Sequence, residues 1–522
     1  MRSRALALFA LCALWSCSGG GASQSVSPTA SAAASARFTI TVPASSTTSS
    51  SVRKPAYVSS ATQSVVITLT SVNGTPYTGS SASTAINLST LTPGCSGSPL
   101  TCTVTVSAVV GSDVFSVVTY DAAQTLPFTT ATGNVLSQAT LSVAVVAGPN
   151  TVMVVLNGVA KTISATFASD PHISGSMGSG YSIIGNAPYT MTLTAQDASG
   201  ETIVGNGAPT FTVTSASNAL AVSGSGNAIT VRVQSYSATP AQLTVTPSLG
   251  SAASVAITTV QELWVANENN NTVTAYVPGT NTAIAADTIS AGLSLPQGLA
   301  FDASGHLWVT NFNNNTVTAY APGTNTAIAA ETISASLSSP LALAFDTSGL
   351  LWITNGNSTV TAYVPGTNTA IAADTITASL SFPQGLAFDA SGHLWATNAT
   401  ADTVTAYVPG TNTVIAADTI SASLNLPVGI AFDANGRLWV SNGYAPSVTA
   451  YVPGTNTVIA ADTITANLNF PQGLAFDPSG HIWVANANGN TVTAYVPGTN
   501  TPIAADTISA SLSAPTAIVF AP

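Results

Sequence analysis

Three of the four histidines, His306, His393 and His481, occupy one position of a repeating unit, in its second, fourth and sixth copies. Imidazoles at alternate copies raise the chemistry of a three-His metal site. The position begins the second strand of its unit, one strand spacing of about 4.8 Å outward from the innermost strand. Three such residues, roughly 120° apart around an axis, lie far beyond the ~2 Å reach of a zinc–nitrogen bond. The other copies carry Glu262, Leu350 and Arg437, as a tolerant turn position would. No metal is expected there.

Five aspartates follow the innermost strand: Asp302, Asp346, Asp389, Asp433 and Asp477. Each precedes x-Ser/Asn-Gly, so its carboxylate can accept backbone N–H bonds within the turn. A calcium loop needs carboxylates at alternating positions, as in D-x-D-x-D-G, and these turns have one each. A second acidic series, Asp287, Glu331, Asp374, Asp418, Asp462 and Asp506, recurs in the motif IAADTIS and reads as a solvated rim. No nucleophile stands beside a base in any copy. Catalytic residues and cofactors are therefore expected to be absent.

The elements that carry these residues repeat. Trp264, Trp308, Trp352, Trp395, Trp439 and Trp483 recur every 43 or 44 residues, matched by Tyr276, Tyr320, Tyr363, Tyr407, Tyr451 and Tyr495. One unit reads LPQGLAFDASGHLWVTNFNNNTVTAYAPGTNTAIAAETISASL and offers four strand candidates: GLAFD, HLWVTN, TVTAY and a weaker ETIS. Four short strands per unit of this length predict a β-propeller blade. The unit resembles the NHL repeat, with its P-x-G-I-A-V-D strand, Asp/Ser-Gly turn and apolar strand ending in Asp. This chain departs by placing Asn at that last position: Asn267, Asn311, Asn355, Asn398, Asn442 and Asn486. The first Trp strand has no GLAFD-type strand before it, and the chain ends on PTAIVFAP with no Trp strand after it. The C-terminal strand is thus expected to complete the first of six blades, leaving no open sheet edge.

Ahead of the repeats, residues 37–160 and 161–259 hold alternating apolar and Thr/Ser segments separated by Gly, Pro and Asn clusters, which predict two β-sandwich modules. LTAQDASGETIVG in the second resembles bacterial immunoglobulin-like domains, where a D-x-S/N-G turn joins two strands. The fold class expected is all-β: two sandwiches followed by a six-bladed propeller over 260–522.

Residues 1–17 read as an export signal, with Arg2 and Arg4 before a short apolar run. The run LWSC resembles a bacterial lipoprotein signal, which implies lipidation at Cys17, although Trp15 departs from the usual small residue. Residues 18–36 read as a flexible linker. With Cys12 in the signal and Cys17 at its end, Cys95 and Cys102 remain; in an oxidising compartment they are expected to pair. A metal site is the alternative, but no His or further Cys lies nearby in sequence. The localisation expected is the bacterial cell envelope, lipid-anchored, with outer membrane or cell surface preferred and no membrane contact beyond the anchor.

Charged residues are only 5% of the 522. The repeats hold 14 acids and one base, Arg437, for a net −13. Such a field repels nucleic acid and other anionic ligands. The loop between the Trp and Tyr strands differs in every copy, whereas PGTNT is nearly invariant. In propellers this loop lies on the usual ligand face. Its candidate binding residues are Glu268, Asn269, Asn270, Asn271, Phe312, Asn313, Asn314, Asn315 and Tyr444. The function expected is a non-catalytic, envelope-anchored or surface-displayed binding scaffold: a monomer with a propeller head, taking an unidentified protein or polymer. Two alternatives remain open. One is a propeller enzyme of the gluconolactonase-like or streptogramin-lyase-like class, which would need carboxylate, His or Asn converging at the mouth. The other is a purely structural envelope protein.

Overall fold

Short runs rich in Val, Thr and Ile favour half-buried strands over helices, and the regular structure of the described residues is almost wholly strand. The computed structural model describes residues 34–43, 58–79, 82–321 and 323–522. Among these, helical geometry is confined to single 3₁₀ turns, and no helix is long and apolar enough to cross a membrane. The export segment and Cys17 lie outside the described residues. The chain forms two compact units. One runs to Ser164 and includes Thr194–Phe211 and Thr246–Ala252; the other comprises Ala165–Leu193, Thr212–Val245 and Ala253–Pro522.

In the first unit, Ala34–Val42 lies between Leu100–Ala108 and Gly148–Val152 in a four-stranded sheet. A second sheet is centred on Gly111–Tyr120, flanked by Ser64–Val72 and Val135–Val145. Alternation turns Phe38, Ile40 and Val42 inward and the intervening threonines outward. Phe38 meets Phe115 of the other sheet edge-on at 5.3 Å, so both sheets share one core. The strand begins at Ala34, three residues inside the stretch read as linker, because Ala36 already faces that core. Cys95 lies opposite Cys102 and the two are disulfide-bonded.

The second unit opens on strands of two further sheets. One contains Pro188–Gln196, Ala228–Val233 and Leu220–Ser225; the other orders Ile173–Ser176, Gly180–Ile184, Ala253–Val260, Ser237–Pro247 and Phe211–Ser215. Six small antiparallel sheets follow. In repeats 2 to 6 each has an inner strand, a Trp strand and a Tyr strand, as in Pro296–Phe301, Leu307–Asn311 and Thr316–Tyr320. The inner strand of repeat 1 is the C-terminal Pro515–Phe520, which pairs with Leu263–Asn267 in the register Phe520 to Leu263 and Ile518 to Val265. Neighbouring inner strands pack side by side, and Pro515–Phe520 touches both Pro471–Phe476 and Pro296–Phe301. The approach is close enough to require glycine at its tightest points. A Cβ on Gly429 would lie 2.1 Å from the Gln472 carbonyl oxygen, and one on Gly298 would lie 2.4 Å from that of Leu341.

The fourth strand forms only in repeat 1, as Ala283–Ile289. In the other repeats it is reduced to two isolated bridges, such as Val317 to Ile333 and Tyr320 to Ala327, around a 3₁₀ turn. Local pattern does not decide this, because repeats 1 and 3 share the sequence AIAADTI. In repeat 1 both Ile284 and Ile289 are buried and His172 pairs with Asp287, whereas elsewhere the deeply buried anchor is Ile333 or its counterparts Ile376, Ile420, Ile464 and Ile508.

Candidate functional site

The repeated polar residues tie each repeat together internally and to its neighbour. Asn311 is fully buried; its Nδ2 donates to Thr316 and Thr318, and its Oδ1 accepts the Ser294 N–H from the connection entering its own sheet. Asn267, Asn355, Asn398, Asn442 and Asn486 do the same, with Ser513 near the C-terminus donating to Asn267. A carboxamide both donates and accepts, and this position uses both. The Asn of the invariant PGTNT turn accepts two backbone N–H bonds from the preceding repeat: Asn325 from Ser290 and Ala291, Asn281 from Ser509 and Ala510. Each Trp meets the Phe of the next repeat edge-on at 5.8–6.2 Å, from Trp264–Phe301 round to Trp483–Phe520.

The turn aspartates accept backbone N–H bonds as the sequence predicts, and also bind tryptophan. Asp302 Oδ1 takes the N–H groups of Ser304 and His306, while Oδ2 accepts the Trp308 indole N–H at 2.9 Å. The histidine position accepts Glu, His, Leu and Arg, and its His and Arg side chains pair with the turn carboxylate. Arg437 sits between Asp433, at 2.6 Å, and Asp462, while its guanidinium lies over Trp439. His306 sits likewise between Asp302 and Glu331, at 3.5 and 3.1 Å. His393 and His481 pair with Asp389 and Asp477. In repeats 2 and 5 the position is thus a seat between the turn carboxylate and the rim carboxylate; repeat 3 has Leu350 there. Burial would raise the Asp433 carboxyl, but hydrogen bonds from Arg437 and Trp439 and the Arg437 charge hold it below its ordinary value. Asp287 and Asp462 therefore correct the solvated-rim reading: both are buried, held by a cation from another segment.

Repeat 1 breaks the pattern. Its inner strand comes from the chain's end, so no turn Asp precedes Trp264. Glu262 substitutes, its Oε2 accepting the Trp264 indole N–H at 2.9 Å. The cation is His172, from the segment before Ile173–Ser176, with Nε2 2.7 Å from Asp287 Oδ2 and Nδ1 2.8 Å from Asp170 Oδ1. The Asp287 hydrogen bond, opposed by burial and supported by Asp170, lifts the imidazole to about 9. Burial first, then the Asp287 charge, lifts Glu262 to about 7. Sequence reasoning misses this cluster. Its one signal is Glu262, alone among His, Leu and Arg at that repeat position.

The six inner strands line a common cavity of about 110 Å³. Gln297, Gln384 and Gln472 alternate there with Leu341, Val428 and Thr516, and no lining residue is ionisable.

Of the candidate binding residues, Tyr444 is 74% exposed and Phe312 half-buried. Asn271 and Asn315 are committed to the fold, their Oδ1 atoms accepting the N–H of Leu295 and Ser339. Asn270 and Asn314 accept from Thr272 and Thr316, and Asn313 donates to Ser294. Glu268 is partly exposed and Asn269 exposed, their backbone N–H groups donating to the Ala514 and Ser513 carbonyls. The residues before the inner-strand prolines, Leu295, Ser339, Phe382, Leu426, Phe470 and Ala514, all have φ between 47° and 54°. Pro446 stands in repeat 5 where the other loops have Asn271, Asn315, Ser358, Asp402 or Asn490. There Tyr444 packs on the Phe470 ring at 6.4 Å.

Two of the repeats, residues 293–320 and 468–495, match the NHL repeat. With the six repeated sheets this makes the C-terminal half a propeller segment. No curated protein matches the chain. Among solved structures, it is similar to a streptogramin B lyase at 15% identity and a TM-score of 0.33, covering 40% of this chain and 67% of that one. Virginiamycin B lyase from Staphylococcus aureus shows 13% identity and 0.30, covering 38% and 66%. The WD40 β-propeller domain of Doa1 shows 11% and 0.38, covering 54% and 82%.

Proposed function

We propose that the protein is a non-catalytic binding scaffold of the cell envelope. It carries two β-sandwich modules, the second immunoglobulin-like, and a six-bladed propeller closed by its C-terminal strand. A lipid at Cys17 anchors it and the partner, a protein or polymer, binds at the Trp–Tyr loops. The observation that carries this reading is where the repeats differ. Their buried polar groups are spent on bonds that hold each repeat and its entering connection together, whereas the exposed loops vary in length and bear Phe312 and Tyr444. An active site needs unlike groups converging on one point, and the central cavity is lined by three glutamine amides, Thr516 and apolar groups. The net −13 of the repeats favours a neutral or cationic partner.

The test is co-purification from the native envelope with the full chain and with Phe312→Ala/Tyr444→Ala. Buried aromatic anchors contribute about 2 kcal/mol or more each, so the double variant should lose the partner while melting as the parent does. Undiminished recovery places binding elsewhere.

A further inference from the structure

Beyond that reading, we propose that His172, Glu262 and Asp287 form a binding site for a divalent transition-metal ion, of which Zn²⁺ is the type. The site joins the segment before Ile173–Ser176 to the first repeat. His172 Nε2, a Glu262 oxygen and an Asp287 oxygen all lie within 4.8 Å of one another. Zinc bound by nitrogen and carboxylate oxygen at about 2.0–2.2 Å spaces tetrahedral ligands roughly 3.3–3.6 Å apart. The separations from Nε2, 2.7 Å to Asp287 and 4.0 Å to Glu262, bracket that spacing, so small side-chain rotations suffice.

Three further features distinguish this cluster from the ordinary cation seats. Glu262 is only 6% exposed; its Oε2 accepts the Trp264 indole N–H, and its Oε1 lies 4.0 Å from His172 Nε2. Three carboxylates, those of Asp170, Glu262 and Asp287, surround one imidazole. The Arg437 seat has two for a full guanidinium charge. The surplus negative charge in a buried setting is what a divalent ion offsets. Finally, Asp170 holds Nδ1, the arrangement by which a carboxylate orients a ligating histidine and fixes Nε2 toward the metal. One imidazole with two carboxylates suits zinc and its first-row neighbours better than calcium, which takes 6–8 oxygens.

The test uses the full chain in detergent, stripped with chelator and then exposed to Zn²⁺ or Co²⁺. Wild type should retain one equivalent of Zn²⁺ through gel filtration and give the visible absorption of low-coordinate Co²⁺. Glu262→Gln, which keeps the acceptor for Trp264, and Asp287→Asn should each weaken binding by at least tenfold. Asp170→Asn should do so by about 10–100-fold, and His172→Ala should abolish it. His306→Ala, at the half-exposed counterpart in repeat 2, should change nothing. Wild type that retains no metal reduces the cluster to an ion pair and overturns the proposal. So does retention that survives His172→Ala, or that is lost with His306→Ala. Should His172→Ala fail to fold, the two conservative ligand variants decide between these outcomes.

Discussion

Each repeat turns on a few side chains that meet two demands at once. Asn398 is the clearest: wholly buried, it donates to Thr403 and Thr405 and accepts the Ser381 N–H. Asn398→Ala strands the half-buried Ser381 N–H and empties a buried site, and should cost about 1–3 kcal/mol, read as a lower midpoint in chemical denaturation with unchanged slope. Replacement of the exposed Asn325 should cost less, since water can reach the N–H groups it releases. The recurring Asn is visible in the sequence, but its partner is not. The Ser381 donor lies 17 residues away on the connection into the strand, and no local pattern links the two. The same holds for the turn aspartates: the x-Ser/Asn-Gly signature discloses their backbone bonds, while the indole bond depends on how the hairpin folds back.

At the scale of elements, the strand at the chain's end has the largest consequence. Pro515–Phe520 is the inner strand of the first sheet, and Ile518 lies in a core with Leu263, Val265 and Trp483. Removing residues 515–522 deletes this strand, strips the Phe from Trp483 and bares an edge. Truncation of a buried Ile or Phe to Ala alone costs about 2–5 kcal/mol. The shortened chain should therefore unfold its repeats many degrees below the parent in calorimetry; a melting point within a few degrees would refute closure by this strand. The repeat phase by itself indicates the pairing, because the missing and surplus strands are complementary. The fourth strand, expected in every repeat, forms only in repeat 1, where Ile284 is buried along with Ile289; repeat 3 has the same AIAADTI sequence without the strand, so tertiary surroundings decide it.

For the whole molecule, the proposed anchor makes a separate prediction: Cys17→Ser should move the protein from the membrane fraction to the soluble one, because acyl chains supply the attachment. Equal membrane recovery of variant and parent would remove lipidation from the account. Sequence alone determined what depends on local order. Alternation set the strands, the 43–44-residue period set the repeats, and Cys95 and Cys102 stood close enough to pair. Tertiary structure alone decided what depends on distant segments meeting. His172 reaches Asp287 across 115 positions, and it does so because the first repeat, completed from the chain's far end, lacks its own turn aspartate and seat cation. Charge balance around a buried carboxylate is set by neighbours in space, and a linear pattern contains no record of them.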